Sequence, residues 1–326
     1  MAHTSTAPLA SAITLAGGLG VLGGLNYTPP QLRTMIHELK SSIPPSAPFG
    51  VDLALPKLGP GARATNHDYT SGQLDALIDV IISERATLFV SAVGVPPASA
   101  IAKLHAAGVL VMNMVGAPRH AEAALRAGVD IVCAQGGEGG GHTGDIPSSI
   151  LVPAVVDVAR KFRPPLLGGA RAMVVAAGGV HNGRGLAASL MQGAVGVWVG
   201  TRFVASEEAG CSRAHKEAVV GCGWGDTVRT LVVSGRPLRV RRNEYIQGWE
   251  ERPERVRELT EGGVVPMIRD LDEGEEVDFP FLMGQVAGAI GEVKPARVIV
   301  EEMVREAVEM LRLGQGYIGG ARDSKL

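Results

Sequence analysis

Three stretches of this chain end in the same way. Leu104–Met114 reads L-H-A-A-G-V-L-V-M-N-M, Leu125–Ala134 reads L-R-A-G-V-D-I-V-C-A, and Leu190–Val199 reads L-M-Q-G-A-V-G-V-W-V. In each, a helical pattern stops at a glycine and an apolar run follows at once. Glycine accepts the left-handed backbone that closes a helix, and so short a turn returns the chain alongside its own helix. Seven apolar runs read as strands: Leu19–Leu22, Phe49–Leu53, Thr87–Val93, Val109–Met114, Asp130–Ala134, Ala172–Ala177 and Val195–Val199. Helical patterns lie between them, at Pro30–Leu39, Leu74–Glu84, Pro97–Ala107, Pro118–Ala127, Ile150–Lys161 and Arg184–Gln192, and Glu207–Val220 follows. The strands are apolar throughout, as parallel strands are when both faces are covered. Repetition of one regular unit favours a TIM-like (β/α)8 barrel over an open, doubly wound sheet. Ala7–Ala16 reads as the helix after a first strand, yet almost nothing precedes it, so the barrel is expected to lack that strand.

The rhythm holds over residues 1–221 and then breaks. Residues 222–294 contain Trp224, Tyr245, Trp249, Pro253, Pro266 and Pro280 among acidic clusters, and read as a smaller, irregular helical subdomain on the substrate side. Val300, Met303, Val304, Ala307, Val308 and Leu311 recur at helical spacing, so residues 295–326 read as a final helix packed on the barrel, followed by a polar tail.

Composition excludes several classes of partner. The 326 residues are 46% apolar and 20% charged, with a net charge of −2, so nucleic acid and polybasic membrane contact are not expected. The basic run Arg236–Arg242 has no interleaved aromatics and reads as a solvated or ion-paired face. Cys133, Cys211 and Cys222 have no metal-type spacing and form no disulfide framework, as in a reduced intracellular protein. No apolar run approaches the roughly 20 residues of a membrane span. Met1–Thr6 lacks the basic region of a signal peptide. Ser324-Lys325-Leu326 matches the peroxisomal address read by an import receptor, which predicts peroxisomal rather than cytoplasmic residence.

Gly18-Leu19-Gly20-Val21-Leu22-Gly23 has the letters of a dinucleotide fingerprint, but its glycines occupy the strand itself, and Glu38 and Asp52 stand at the wrong distance. Two other loops are more telling. Gly178-Gly179 follows the sixth apolar run and Gly200-Thr201 the seventh. In a (β/α)8 barrel these fall at strands 7 and 8, whose loops commonly hold phosphate on backbone N–H groups, and Thr201 adds a hydroxyl. The strand before them ends in Gln135 and opens into Gly136-Gly137-Glu138-Gly139-Gly140-Gly141-His142, five glycines ahead of one histidine. Such a loop, with Gly140 in its wall, lets a planar ligand lie against the backbone while the imidazole points at it. Phosphate loops beside a glycine wall, with no metal cluster, point to FMN.

These segments resemble the nitronate monooxygenase family, formerly 2-nitropropane dioxygenase, and its fungal members above all. The matching residues are Ala16–Gly20, Phe49–Pro56, Ala134–Asp145, Ala176–Gly179 and Val199–Phe203, and the likeness covers essentially the whole chain. It implies an FMN barrel under a smaller helical domain. His142 is implied as the catalytic base, Gly178, Gly179, Gly200 and Thr201 as the phosphate site, and Gln135 as a flavin contact. Two departures stand out: the family's first strand is missing here, and Asp52 takes a strand-end position where the family often has Asn, which makes it a further candidate flavin contact.

The expected activity is FMN-dependent oxidation of alkyl nitronates, with nitroalkanes as an extension, by O2 to carbonyl compounds and nitrite. Two alternatives stay open: an FMN-dependent enoyl-thioester reductase using NAD(P)H, and a flavin-free phosphate-binding protein.

Overall fold

The structure is a computed structural model that describes Met1 and residues 3–319. Seven parallel strands form one curled sheet in the order β1 (Gly20–Gly23), β2 (Phe49–Ala54), β3 (Leu88–Ala92), β4 (Leu110–Val115), β5 (Ile131–Gln135), β7 (Met173–Ala177) and β8 (Gly196–Trp198). A second, antiparallel sheet joins β6 (Gly141–His142), β10 (Leu238–Arg241) and β9 (Thr227–Thr230). The crossovers and flanking helices are α1 (Ala7–Leu15), α2 (Pro29–Ser42), α3 (Leu74–Ser83), α4 (Ala98–Ala106), α5 (Pro118–Arg126), α6 (Ser148–Ala159) and α7 (Gly183–Met191). The barrel expectation therefore holds. Gly108, Gly128 and Gly193, the glycines of the three repeated endings, all have φ between +74° and +106°.

Alternation along the strands builds two cores. Val51, Phe89, Val111, Val132 and Val174 face outward and pack with Ile36, Ile78, Ile101 and Leu151 of the helices. Val90, Met112, Cys133 and Ala177 face the barrel interior. Each fully buried aliphatic or aromatic side chain contributes roughly 1.5–3 kcal/mol.

Among the described residues no strand lies between β8 and β1, so the sheet is open there. The opening is partly filled by the segment before α1, where Ser5 O accepts from Gly23 N at 2.9 Å and Ser5 Oγ donates to Val21 O at 2.5 Å. α1 crosses β1 closely: a Cβ on Gly20 would lie 2.0 Å from Ala10 O. Gly18 and Gly20 of the false fingerprint thus serve helix-on-strand packing.

Beyond the barrel come α8 (Thr201–Val204), α9 (Arg213–Val220), α10 (Glu244–Glu250), α11 (Pro253–Glu261), α12 (Pro266–Asp272) and α13 (Ala296–Gly319). Residues 222–294, expected as an irregular helical subdomain, hold α10, α11 and α12 and also β9 and β10. The solvated reading of the basic run needs correction. Leu238 and Val240 are buried and alternate with Arg239 and Arg241, the period of a half-buried strand. Arg239 and Arg241 donate to the carbonyls of Gly137 and Ala218. Charge composition concealed a strand whose cations are tied to backbone. α13 packs on α7 and α1 through Ile299, Met303 and Ala307. Ser324-Lys325-Leu326 lies outside the described residues. No helix among them is long and apolar enough to cross a membrane.

Candidate active site

A cavity of about 680 Å³ opens at the C-terminal ends of the parallel strands. Gln135, Gly140, His142, Gly178, Gly179, Gly200, Thr201 and Asp52 all contribute to its wall, so the fold brings every sequence-predicted site residue to one place. The lid over it is Leu282–Gly284 from the second sheet's side.

The glycine loop is held from within. Gln135 Nε2 donates to His142 O at 2.9 Å, and Thr143 Oγ1 donates to Gly136 O at 2.8 Å. The Glu138 carboxylate accepts from Ser148 N at 3.0 Å and Ser148 Oγ at 2.8 Å. It thereby caps α6, where an acid also complements the helix dipole. A Cβ on Gly140 would stand 2.6 Å from the Met283 carbonyl carbon, so only glycine lets the lid backbone seat here. Gly178 has φ +84°, and a Cβ on it would meet Gly136 O at 2.9 Å, which stacks the two loops backbone on backbone.

The phosphate-type residues lie on one side of this cavity. Gly178 and Gly179 follow β7, while Gly200 and Thr201 open α8. Thr201 Oγ1 accepts from the lid's Gly284 N at 2.9 Å, and its hydroxyl hydrogen is left to point elsewhere. These bare backbones and one hydroxyl form a cradle that fits a phosphorylated flat cofactor.

His142 pairs in register with Leu238, and its Nε2 lies 2.9 Å from Ser234 Oγ. Burial lowers its pKa to about 4, with the charges of Arg236 and His67 adding to the effect. The imidazole is therefore neutral at pH 7 and able to accept a proton. Ser234 and Arg236 lie by the histidine, and neither was expected from the sequence to do so. Arg236 donates to Asn66 Oδ1 at 2.9 Å and Val93 O at 3.1 Å, and Tyr69 lines the cavity. The clue available was the turn Ser234-Gly235-Arg236-Pro237 between two alternating runs. By contrast, His105 pairs with Asp130 and His37 with Glu84, away from the cavity. No cluster of metal-ligating side chains occurs among the described residues.

Comparison with known proteins gives the family and the fold. The chain is 31% identical to a probable nitronate monooxygenase of Staphylococcus saprophyticus, covering 77% of this chain and 76% of the relative. It superposes on FabK from Thermotoga maritima with a TM-score of 0.77 and 34% identity, over 97% of this chain and 93% of the other. A nitroalkane oxidase from Streptomyces ansochromogenes gives a TM-score of 0.77 at 27% identity, over 94% and 93%. The family model for nitronate monooxygenase matches residues 1–306. This chain belongs to the nitronate monooxygenase family and is an enzyme, an oxidoreductase on a TIM-like barrel.

Proposed function

We propose that the chain binds FMN in the strand-end cavity and oxidises alkyl nitronates with O2 to carbonyl compounds and nitrite. The observation that carries this reading is the His142 imidazole on the wall of the cavity that Gly178-Gly179 and Gly200-Thr201 line. In it, Gly178, Gly179, Gly200 and Thr201 hold the phosphate, and Gln135 and Gly140 shape the wall against the ring. FMN, when bound, supplies electron transfer between substrate and O2. His142 takes the α-proton when the substrate is a neutral nitroalkane, and Ser234 orients its ring. A pKa of about 4 makes it a weak base, which favours the nitronate, already deprotonated, as the better substrate.

The test is nitrite release from a short-chain nitronate by FMN-loaded protein, beside His142→Ala. Nitrite production with nitronate, and a loss of nitroalkane turnover in the variant of about 10²-fold or more, support the reading. NAD(P)H consumption with an enoyl thioester and no nitrite would establish the reductase instead. A protein with no flavin spectrum after FMN addition would remove both. A fungal-type placement is part of this proposal; the relative and the two structures above are bacterial. Peroxisomal import through Ser324-Lys325-Leu326 is a separate part, tested by the distribution of a fluorescent fusion with and without Leu326.

A further inference from the structure

Val93, the residue after β3, has φ +73°. The other non-glycine residues with positive φ among those described are His3, Asn26, Ser71 and Arg85, so Val93 is the only β-branched one. A branched side chain crowds the backbone in this region, which makes the conformation costly for valine. The turn spans three residues: Gly94 N donates to Ala92 O at 2.9 Å, across Val93. A γ-turn with positive φ is rare and strained.

Its neighbours hold it in place. Gly94 O accepts from Ser91 Oγ at 2.8 Å and from Asn113 Nδ2 at 2.7 Å, and Asn113 Nδ2 also donates to Ser91 O at 2.9 Å. Ser91 and Asn113 are both buried. A Cβ on Gly94 would lie 2.3 Å from Leu55 O, so the turn is pressed against the chain that leaves β2. Arg236 donates to Val93 O at 3.1 Å. Backbone strain persists only where the surroundings over-determine it, and it gathers at functional sites.

Val93 is half-buried and lines the strand-end cavity. Its carbonyl is committed to Arg236, which leaves its N–H and its isopropyl group for the cavity. The segment that supplies Arg236 also supplies Ser234, whose Oγ lies 2.9 Å from His142 Nε2, so one short turn holds both Val93 and His142. Glycine would make the same bend without strain. The backbone alone therefore does not call for valine, and the side chain is what the strained turn presents.

We propose that Val93 is a specificity-determining residue, its strained turn holding the isopropyl group against the carbon substituents of the substrate beside His142 and limiting their size. The inference rests on the nitronate reading of the cavity. An apolar wall discriminates by overlap, so shortening it admits bulkier substrates.

Val93→Ala and Val93→Gly in the full chain test both halves of this. Alanine keeps a Cβ at positive φ, and glycine removes it. The glycine variant should therefore show the higher urea midpoint, the reverse of the order where φ suits both residues. Nitrite release by the FMN-loaded proteins gives kcat/KM for cyclohexyl nitronate relative to ethyl nitronate. That ratio should rise by about tenfold or more in both variants. A lower urea midpoint for glycine than for alanine overturns the strained turn, and an unchanged ratio in both variants overturns the size limit. In either case nitrite from the wild type leaves the nitronate reading in place. No nitrite from any of the three proteins overturns that reading and the proposal with it.

Discussion

His142 Nε2 lies 2.9 Å from the Oγ of Ser234, across a sequence separation of 92 residues. The bond joins the glycine loop of the barrel to the turn between β9 and β10. It exists because β10 pairs antiparallel with β6, setting Leu238 opposite His142 and bringing the turn just before it over the ring. The imidazole is thus oriented by a segment that is no part of the barrel.

The same enclosure makes His142 a source of acid sensitivity. The unfolded chain protonates it below about pH 6.5, and the folded protein only below about pH 4. The unfolded state therefore binds more protons between these values, and stability falls as pH drops from 6.5 to 4. The loss is on the order of 3 kcal/mol. Urea unfolding at about pH 7 and about pH 4.5 measures it beside His142→Gln, which cannot titrate. Identical pH dependence in the two proteins would contradict the assignment.

Arg236 has no carboxylate partner among the described residues and repels a proton on His142. Arg236→Gln should raise the His142 pKa, by less than burial lowers it. An NMR titration of the ring resonances reads this directly, and a fall in pKa would show that the guanidinium acts otherwise.

Gly178 and Gly179 both have positive φ, +84° and +75°, but differ in space. A Cβ on Gly178 meets Gly136 O at 2.9 Å, while on Gly179 its nearest neighbour is at 3.9 Å. Alanine at either site should cost about 1–2 kcal/mol through backbone strain. Gly178→Ala should cost more and also weaken FMN retention, since it displaces the glycine loop. Equal urea midpoints for the two variants would mean that the loops can slide apart freely.

Asp270 ties α12 to α10 by accepting from Tyr245 OH at 2.8 Å and Trp249 Nε1 at 2.9 Å, beside Arg269. Burial pushes its carboxyl up, but the bonds from Arg269, Tyr245 and Trp249 prevail and hold it below the usual range. Its contribution is present above pH 3.8 and lost as pH falls through the lower folded value. Asp270→Ala should destabilise by about 1–3 kcal/mol, because it strands the buried Trp249 N–H and the Tyr245 hydroxyl. Trypsin cleavage within residues 222–294, with the barrel fragment preserved, is the expected signature. Cleavage spread evenly over the chain would argue that the two parts unfold together.

Much of the site was legible because glycine, histidine and threonine at strand ends carry local meaning. Gly178-Gly179, Gly200-Thr201 and His142 each follow an apolar run, and a parallel barrel collects all strand ends on one face. Ser234 and Arg236 were not legible. Their sequence neighbourhood is basic and lacks aromatics, and nothing local distinguishes a strand bonded through its arginines from a solvated run.

The alternation of apolar runs with glycine-capped helices determined the seven parallel strands and the face on which the cavity lies, since those choices depend on period and turn length. Only the tertiary structure decided what closes over that face. The β6–β10 pairing and the seating of the lid on Gly140 are contacts between segments distant in sequence, and their energies follow from burial and register rather than from local propensity.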